Sequence, residues 1–216
     1  EYAYTLDGDS EGEIQYENFN ACKAEFEIRG FNVHPGEGKD TMINASLVAI
    51  EINNCLPSME TPRGTEDYEG FYHLISMQGE VGEAKLNYIV RDHDKNGFEE
   101  RKKTLRLIEK NLNAKWGEGT VTLKITDQYL NMKEIVEEHI HLIDHAKKAC
   151  EAAGVAPLIL PIRGGTDGCQ LSFKGLPCPN LGTGGHAFHG PYEHISVEGM
   201  EKSVELLLAL IQEYTK

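Results

Sequence analysis

The order of the hydrophobic periodicities between Asn18 and about Asp127 constrains the fold more than any other feature. Apolar and polar residues alternate at 19–28, 71–77, 84–90 and 121–125, which predicts four strands. Apolar residues at helical spacing predict one helix that starts at Asp40 or Thr41 and ends before Pro57, and another over 98–112. Gln78–Gly82 is a turn between the two middle strands. The resulting order, β-α-β-β-α-β, is typical of a ferredoxin-like sandwich.

The segments on either side follow a different pattern. Residues 2–6 alternate as a strand and end in Asp7-Gly8-Asp9. After residue 131 a helix over 134–153, short apolar runs at 158–162 and 177–181, and a last helix over 197–215 predict part of a parallel α/β sheet. We therefore expect residues 18–128 to form an inserted α+β lid. Residues 1–17 and 129–216 would then be parts of one partial α/β domain.

The helical spacing also predicts which faces are buried. For the first helix of the sandwich, the expected inward residues are Ile43, Leu47, Ile50 and Cys55. For the last helix of the chain, they are Val204, Leu207, Leu208 and Ile211.

Composition excludes some partners. The 21 Lys+Arg against 35 Asp+Glu give a formal net charge of −14, which argues against a nucleic-acid partner. No apolar run reaches the ~18 residues of a membrane span, and the first residues lack the pattern of a signal peptide. The five cysteines include no C-x-x-C pair, so we expect reduced, mostly buried thiols. These observations predict a soluble, cytoplasmic protein that binds neither nucleic acid nor membrane.

Two residues at strand ends could bind a metal. Asp7 ends a strand just before a glycine, and His189 lies in a glycine-bracketed loop after an apolar run. A carboxylate and an imidazole suit zinc, but two ligands are too few, and each could be an ordinary loop residue. His141 and His145 have the i,i+4 spacing of helical metal ligands. A solvated helix start is the favoured interpretation of that pair.

Other residues could bind a substrate. Arg163 precedes Gly164, Gly165 and Thr166, a loop whose backbone can approach a carboxylate or a peptide end closely. His34 could be a turn histidine fixed by the following proline, and Arg91 could form a surface ion pair with Asp92. These residues alone do not decide the function.

Taken together, the motifs become specific. They are Tyr4-Thr5-Leu6-Asp7-Gly8, Asn32-Val33-His34-Pro35-Gly36, Glu69-Gly70-Phe71-Tyr72-His73, Tyr88-Ile89-Val90-Arg91-Asp92, Pro161-Ile162-Arg163-Gly164-Gly165-Thr166-Asp167-Gly168 and Gly175-Leu176-Pro177-Cys178-Pro179-Asn180-Leu181. In this order, and over essentially the whole chain, the sequence resembles the bacterial tripeptide aminopeptidases of the dinuclear-zinc aminopeptidase, aminoacylase and carboxypeptidase family.

The resemblance implies a zinc-binding α/β catalytic domain interrupted by a ferredoxin-like lid that forms homodimers. It implies two zinc ions per active site, with Asp7 a ligand of one and His189 a ligand of the other. His34 would act catalytically in the partner subunit's site by polarising the scissile carbonyl. Arg91 and the loop of Arg163, Gly164, Gly165 and Thr166 would bind the tripeptide substrate, at its carboxylate end.

The sequence also departs from the family pattern. In the family, a His-x-Asp motif, a bridging Asp and a Glu-Glu pair precede the residue that matches Asp7, and residues 1–6 contain none of them. We therefore expect a C-terminal fragment of a metallo-aminopeptidase, inactive when isolated and weak in zinc binding. The alternatives are a non-enzymatic dimerisation or peptide-binding module, and a related carboxypeptidase or aminoacylase.

Overall fold

The computed structural model describes residues 1–215, which contain ten strands and six α-helices. The strands are β1 (Thr5–Gly8), β2 (Glu13–Gln15), β3 (Asn20–Arg29), β4 (Phe71–Gly79), β5 (Glu83–Asp92), β6 (Val121–Tyr129), β7 (Leu158–Ile159), β8 (Asn180–Gly182), β9 (Gly185–His186) and β10 (His194–Ile195). The helices are α1 (Ala45–Asn54), α2 (Lys95–Trp116), α3 (Lys133–Glu137), α4 (His141–Ala152), α5 (Asp167–Ser172) and α6 (Val197–Glu213). None of the helices in this described part is both long and apolar enough to cross a membrane.

The chain forms two compact units. The first contains Glu1–Phe19 and the residues from Leu130 onward, and the second is Asn20–Tyr129. Each unit is described separately below.

The second unit is an antiparallel sheet with two helices on one face. The strand order is β4-β5-β3-β6, with β3 paired to both β5 and β6. Inward residues of β3, such as Phe26 and Ile28, share one core with Val48 of α1 and Leu105 of α2. The alternation of the strands and the helical spacing fix this packing because each places its apolar residues on a single face. The predicted ferredoxin-like order β-α-β-β-α-β is confirmed.

The first unit contains a four-stranded mixed sheet in the order β1-β8-β2-β7. β1 is parallel to β8 and β2 is parallel to β7, whereas β2 and β8 are antiparallel. Helices α4 and α6 pack against each other in this unit. The α/β class predicted for these segments is confirmed, although the sheet is mixed rather than wholly parallel.

The predicted helix over 134–153 is interrupted. α3 ends at Glu137, and α4 begins at His141 after a turn in which His139 N–H donates to the Val136 carbonyl at 2.8 Å. The ring of Tyr2 packs against both His139 and His141 at this break, with centroid distances of 5.3 and 4.7 Å. The apolar spacing that predicted a single helix over 134–153 therefore belongs to two successive helices, α3 and α4.

The predicted inner faces of two helices were wrong. Of the four residues predicted inward for α1, Leu47 and Ile50 are 61% and 46% exposed and Cys55 is also exposed, whereas α1 buries Val48, Ala49 and Ile52. The fourth, Ile43, precedes the helix and packs against the core as predicted. In α6, three of the expected inward residues are exposed: Val204, Leu208 and Ile211. Both helices are apolar on two sides, and periodicity alone does not tell which side packs inward.

Candidate active-site pocket

A pocket of about 470 Å³ in the first unit brings together predicted residues from three separate stretches of the chain. Its lining includes Asp7, the loop residues Arg163, Gly164, Gly165 and Thr166, and His189. Asp7 and His189 are both exposed, so their polar groups can reach a ligand. Six of the eight predicted site residues thus lie around one cavity.

A bulge in β1 places Asp7 at the pocket. Leu6 pairs with Leu181 and Gly8 pairs with Gly182, so Asp7 is the extra residue between two consecutive partners. Such a bulge changes the direction of a side chain at the end of a strand. The bulge is held in place because the Thr183 hydroxyl donates to the Gly8 carbonyl at 2.8 Å.

The Arg163 loop is held by contacts at both of its ends. The Arg163 guanidinium lies over the Phe19 ring, 5.2 Å from its centroid, and Phe19 N–H donates to the Gly164 carbonyl at 3.3 Å. At the other end, Thr166 caps α5 because its hydroxyl accepts a hydrogen bond from Cys169 N–H at 3.2 Å. Position 168 requires glycine because a Cβ there would lie 2.4 Å from the Cys178 carbonyl oxygen. These contacts keep the positive charge of Arg163 at the edge of the pocket.

The backbone of His189 has an uncommon conformation. Its φ is +60° and that of Ala187 is +55°, values that side chains other than glycine seldom adopt. The loop is closed by the antiparallel pairing of β9 with β10, and His189 N–H donates to a Glu193 carboxylate oxygen at 2.8 Å. Outliers of this kind concentrate at functional sites, where the surrounding structure maintains them.

The pocket also contains two buried polar residues, Gln15 and Asn180, for which the sequence indicated no role, although Asn180 lies in the last of the motifs. Asn180 donates to the Gln15 side-chain oxygen at 2.6 Å, and Gln15 in turn donates to the Glu13 carboxylate at 2.9 Å. This chain of hydrogen bonds fixes the orientation of the Asn180 amide. Within the described residues, Oδ1 of Asn180 is buried without a hydrogen-bond partner. The sequence signal that could have identified Asn180 is its position as a polar residue in a strand just before the glycine-rich loop 182–185.

The donors present do not complete a metal site by themselves. Within residues 1–215, no group of three or more His, Cys, Asp or Glu side chains is placed to hold a metal ion. Zinc in proteins takes about four ligands, and Asp7 and His189 supply two. The residues of this chain therefore do not fit a dinuclear centre without donors from elsewhere.

The other two predicted site residues lie in the second unit. His34 is exposed and caps a single 3-10 turn, Pro35–Glu37, where its Nδ1 accepts a hydrogen bond from Gly36 N–H at 3.2 Å. Arg91 is buried, and its Nη1 donates to the carbonyls of Val90 and Cys22 at 3.0 and 3.3 Å. Its guanidinium also lies over the Tyr129 ring, 5.2 Å from the centroid. Arg91 thus has a packing role inside this unit.

Comparison with known proteins defines the class of this fold. Residues 16–120 match the family model of the peptidase dimerisation domain. This stretch contains all but the last part of the second unit.

Over its whole length, the chain is similar in sequence to Peptidase T. It is 54% identical over 216 residues to Peptidase T of Clostridium perfringens. The alignment covers 100% of this chain and 53% of that protein. The structure of aminopeptidase PepT from Bacillus cereus has the same fold, with a TM-score of 0.83 at 23% identity, covering 100% of this chain and 57% of that one. The structure of a Staphylococcus aureus tripeptidase matches with a TM-score of 0.82 at 18% sequence identity. This match covers 97% of this chain and 56% of that one. The family resemblance predicted from the motifs is confirmed, and the chain spans about half the length of the curated relatives it matches.

Proposed function

We propose that this chain is part of a zinc-dependent tripeptide aminopeptidase that releases the N-terminal residue of tripeptides. The observation that carries the proposal is the shared pocket of Asp7, the Arg163 loop and His189 in a chain 54% identical to a Peptidase T. The tripeptidase name of the Staphylococcus aureus structure supports the substrate class. In this proposal residues 18–128 are the lid, and residues 1–17 and 129–216 belong to a catalytic domain of a cytoplasmic enzyme.

Within the proposal, Asp7 and His189 each hold one of two zinc ions. The remaining ligands and the general base would come from the part of the relatives that this chain does not span. Because those groups are required for a dinuclear centre, we derive no chemical step from the two ligands alone.

The substrate carboxylate would bind at the Arg163 loop. A guanidinium offers paired N–H donors to a carboxylate, and the glycines let the backbone approach it closely. Phe19 supports the base of this loop, which reduces the freedom that Arg163 would lose on binding. A substrate role for Arg91 stays a prediction beside the packing role described above.

His34 would donate a hydrogen bond to the scissile carbonyl in the partner subunit's active site. Its Nδ1 accepts from Gly36 N–H, so the neutral ring carries its proton on Nε2. Nε2–H is therefore available as the donor that polarises a carbonyl oxygen. The cap thus selects the tautomer that this role requires.

The lid would form the homodimer through the side that contains α1 and β4. Leu47 and Ile50 of α1 and Ile75 of β4 are 46–61% exposed, and β4 is an edge strand. α1 and β4 contact each other, and exposed apolar groups on adjacent elements favour burial against a second copy. We predict that Leu47→Asp with Ile75→Asp lowers the dimer fraction in light scattering.

The matched control for the dimer is Leu107→Asp on α2, which is 54% exposed in the same unit. We expect this variant to keep the dimer. A dimer insensitive to the Leu47 and Ile75 changes would contradict the proposed interface, and a strict monomer would remove the support for a cross-subunit role of His34.

The function is tested with a full-length protein in which this chain is joined to the unmatched part of the Clostridium perfringens relative. We expect hydrolysis of tripeptides in preference to di- and tetrapeptides, and loss of activity in His189→Ala. Preference for acylated amino acids or for release of the C-terminal residue would sink the tripeptidase proposal in favour of an aminoacylase or carboxypeptidase.

A further inference from the structure

Asp9 is a second carboxylate at the candidate active-site pocket. It lines the same cavity of about 470 Å³ as Asp7, Arg163 and His189, and it is exposed. The proposed function gives a role to each of the other three residues and none to Asp9. The pocket therefore contains one charged group that the proposed function leaves unused.

The fold does not use the Asp9 carboxylate either. The backbone of Asp9 is fixed, because its carbonyl accepts hydrogen bonds from the N–H groups of Gly184 and Thr183 at 2.8 and 3.2 Å. The turn that follows is closed by Ser10 N–H, which donates to the Glu13 carboxylate at 3.1 Å. Within residues 1–215, the Asp9 carboxylate forms neither a hydrogen bond nor an ion pair. Aspartates in turns usually accept hydrogen bonds from nearby backbone N–H groups, and this one does not.

The neighbouring acidic residues have other partners. The two carboxylate oxygens of Glu13 accept hydrogen bonds at 3.1 and 2.9 Å. Glu11 lies against the first turn of α6, where its Oε1 is 2.9 Å from the position that a Cβ on Gly199 would take. A carboxylate at a helix N-terminus is favourable because it faces the positive end of the helix dipole. Since Asp7 holds zinc in the proposed function, Asp9 is the acid of this segment that is left to bind a ligand.

A primary ammonium suits this carboxylate better than a metal ion does. An ammonium carries three N–H donors and binds one carboxylate through a charge-assisted hydrogen bond. A metal ion needs several ligands, and the described residues contain no group of three or more His, Cys, Asp or Glu side chains placed to supply them. An unblocked peptide carries a primary ammonium at its N-terminus and a carboxylate at its C-terminus. Asp9 and Arg163 offer the opposite charge to each of these two ends within one pocket.

We propose that Asp9 binds the N-terminal ammonium of the peptide whose carboxylate binds at the Arg163 loop. Asp9 is then a specificity-determining residue, which favours a peptide with a free N-terminus over an acylated one. The physical reason is that acylation removes the positive charge and two of the three N–H donors that face the carboxylate. The inference deepens the proposed function and rests on it, since it takes from that proposal the position of the carboxylate end.

Titration of the 216-residue chain with peptides, followed by NMR, tests the inference. The probes are Leu-Gly-Gly and N-acetyl-Leu-Gly-Gly. We expect the unaltered chain to bind the free tripeptide about tenfold more tightly, as for one hydrogen bond to a charged group. Asp9→Asn should weaken binding of the free tripeptide by about the same factor and leave that of the acetylated one unchanged.

The matched control is Asp144→Asn, which removes an exposed carboxylate on α4 of the same unit. This variant should keep the full preference for the free tripeptide. Because the Asp9 carboxylate makes no bond within the described residues, Asp9→Asn should retain the native dispersion of amide signals. A change in affinity is then caused by the lost charge and not by a change of fold.

Each outcome decides the question. No binding of Leu-Gly-Gly by the unaltered chain, or equal affinities for the two peptides, would overturn the inference. A preference for the free tripeptide that persists in Asp9→Asn, or equal weakening of both peptides in that variant, would also overturn it. Asp9-dependent preference, together with a joined full-length protein that cleaves no tripeptide, would leave the inference standing and count against the proposed function alone. Tripeptide cleavage by that protein with kcat and KM unchanged by Asp9→Asn would count against the inference alone.

Discussion

At the scale of single residues, the chemistry of the pocket could be predicted only where a motif contained it. Asp7 and His189 follow apolar strands and adjoin glycines, and the Arg163 loop contains two glycines. The pairing of Gln15 with Asn180 spans 165 residues, and no local pattern contains it. A buried polar side chain is identified by its partner, which only the fold brings near.

Among the five thiols, the structure predicts one fast reaction. Cys55 is exposed, while Cys22, Cys150, Cys169 and Cys178 are buried. Burial disfavours the thiolate and raises the pKa of Cys22 to about 12 and that of Cys150 to about 11, against an ordinary value of 9.0. With a disulfide reagent at pH 8, one equivalent should react fast in the native chain and five after denaturation. Cys55→Ser should remove the fast phase, and its persistence would contradict the assignment.

At the scale of elements, the types and order of most helices and strands could be predicted, but some limits and faces could not. Asn96-Gly97 reads as a break, yet α2 begins at Lys95 and passes through both residues. Glycine is required at position 97 because a Cβ there would lie 2.9 Å from an Asp92 carboxylate oxygen. Tertiary contacts of this kind override local signals. The exposed apolar residues of α6 show the same limit, since the spacing identified them but assigned them to the core.

The start of α2 provides a test of this account. The Asp94 side chain accepts a hydrogen bond from Gly97 N–H at 2.6 Å and caps the helix. We predict that Asp94→Ala lowers the free energy of unfolding by about 1 kcal/mol, measured by urea denaturation. Asp94→Ser retains a capping oxygen and should lose much less. Equal losses in the two variants would show that the cap bond is not the cause.

At the scale of the whole molecule, the buried hydroxyl and thiol groups of Tyr88, Cys22 and Cys150 make the free energy of unfolding depend on pH in the alkaline range. Burial raises the pKa of Tyr88 to about 12 from 10.0, and it raises those of Cys22 and Cys150 as given above. The folded state therefore holds these protons more tightly than the unfolded state does. The associated stability is complete below about pH 9 and is lost as the pH rises toward 12.

Urea midpoints measured at pH 8, 9.5 and 11 should accordingly fall. Cys150→Ala removes one of the titrating groups, so its midpoint should fall less steeply between these values. A midpoint that stays constant or rises with pH would contradict the assignment.

Metal binding is also a property of the whole molecule. Asp7 and His189 lie at one pocket, but within the described residues they are not joined by further ligands. We predict that the isolated chain binds zinc weakly in calorimetry, cleaves no tripeptide, and keeps its melting temperature after treatment with a chelator. Zinc binding should weaken further in His189→Ala and remain unchanged in Cys55→Ser. Measurable tripeptide hydrolysis by the isolated chain would overturn this prediction.

The pairing of β3 with β6 has a consequence for how such proteins change over time. Ala21 lies opposite Tyr129, so the chain enters and leaves the second unit at neighbouring positions of one sheet. Residues paired in this way are about 5 Å apart, a gap that one or two residues can bridge. A gene segment that encodes 20–129 can therefore be gained, lost or exchanged as a cassette with little disturbance of the backbone at its borders. This geometry allows the second unit to be inserted into another domain in one recombination event.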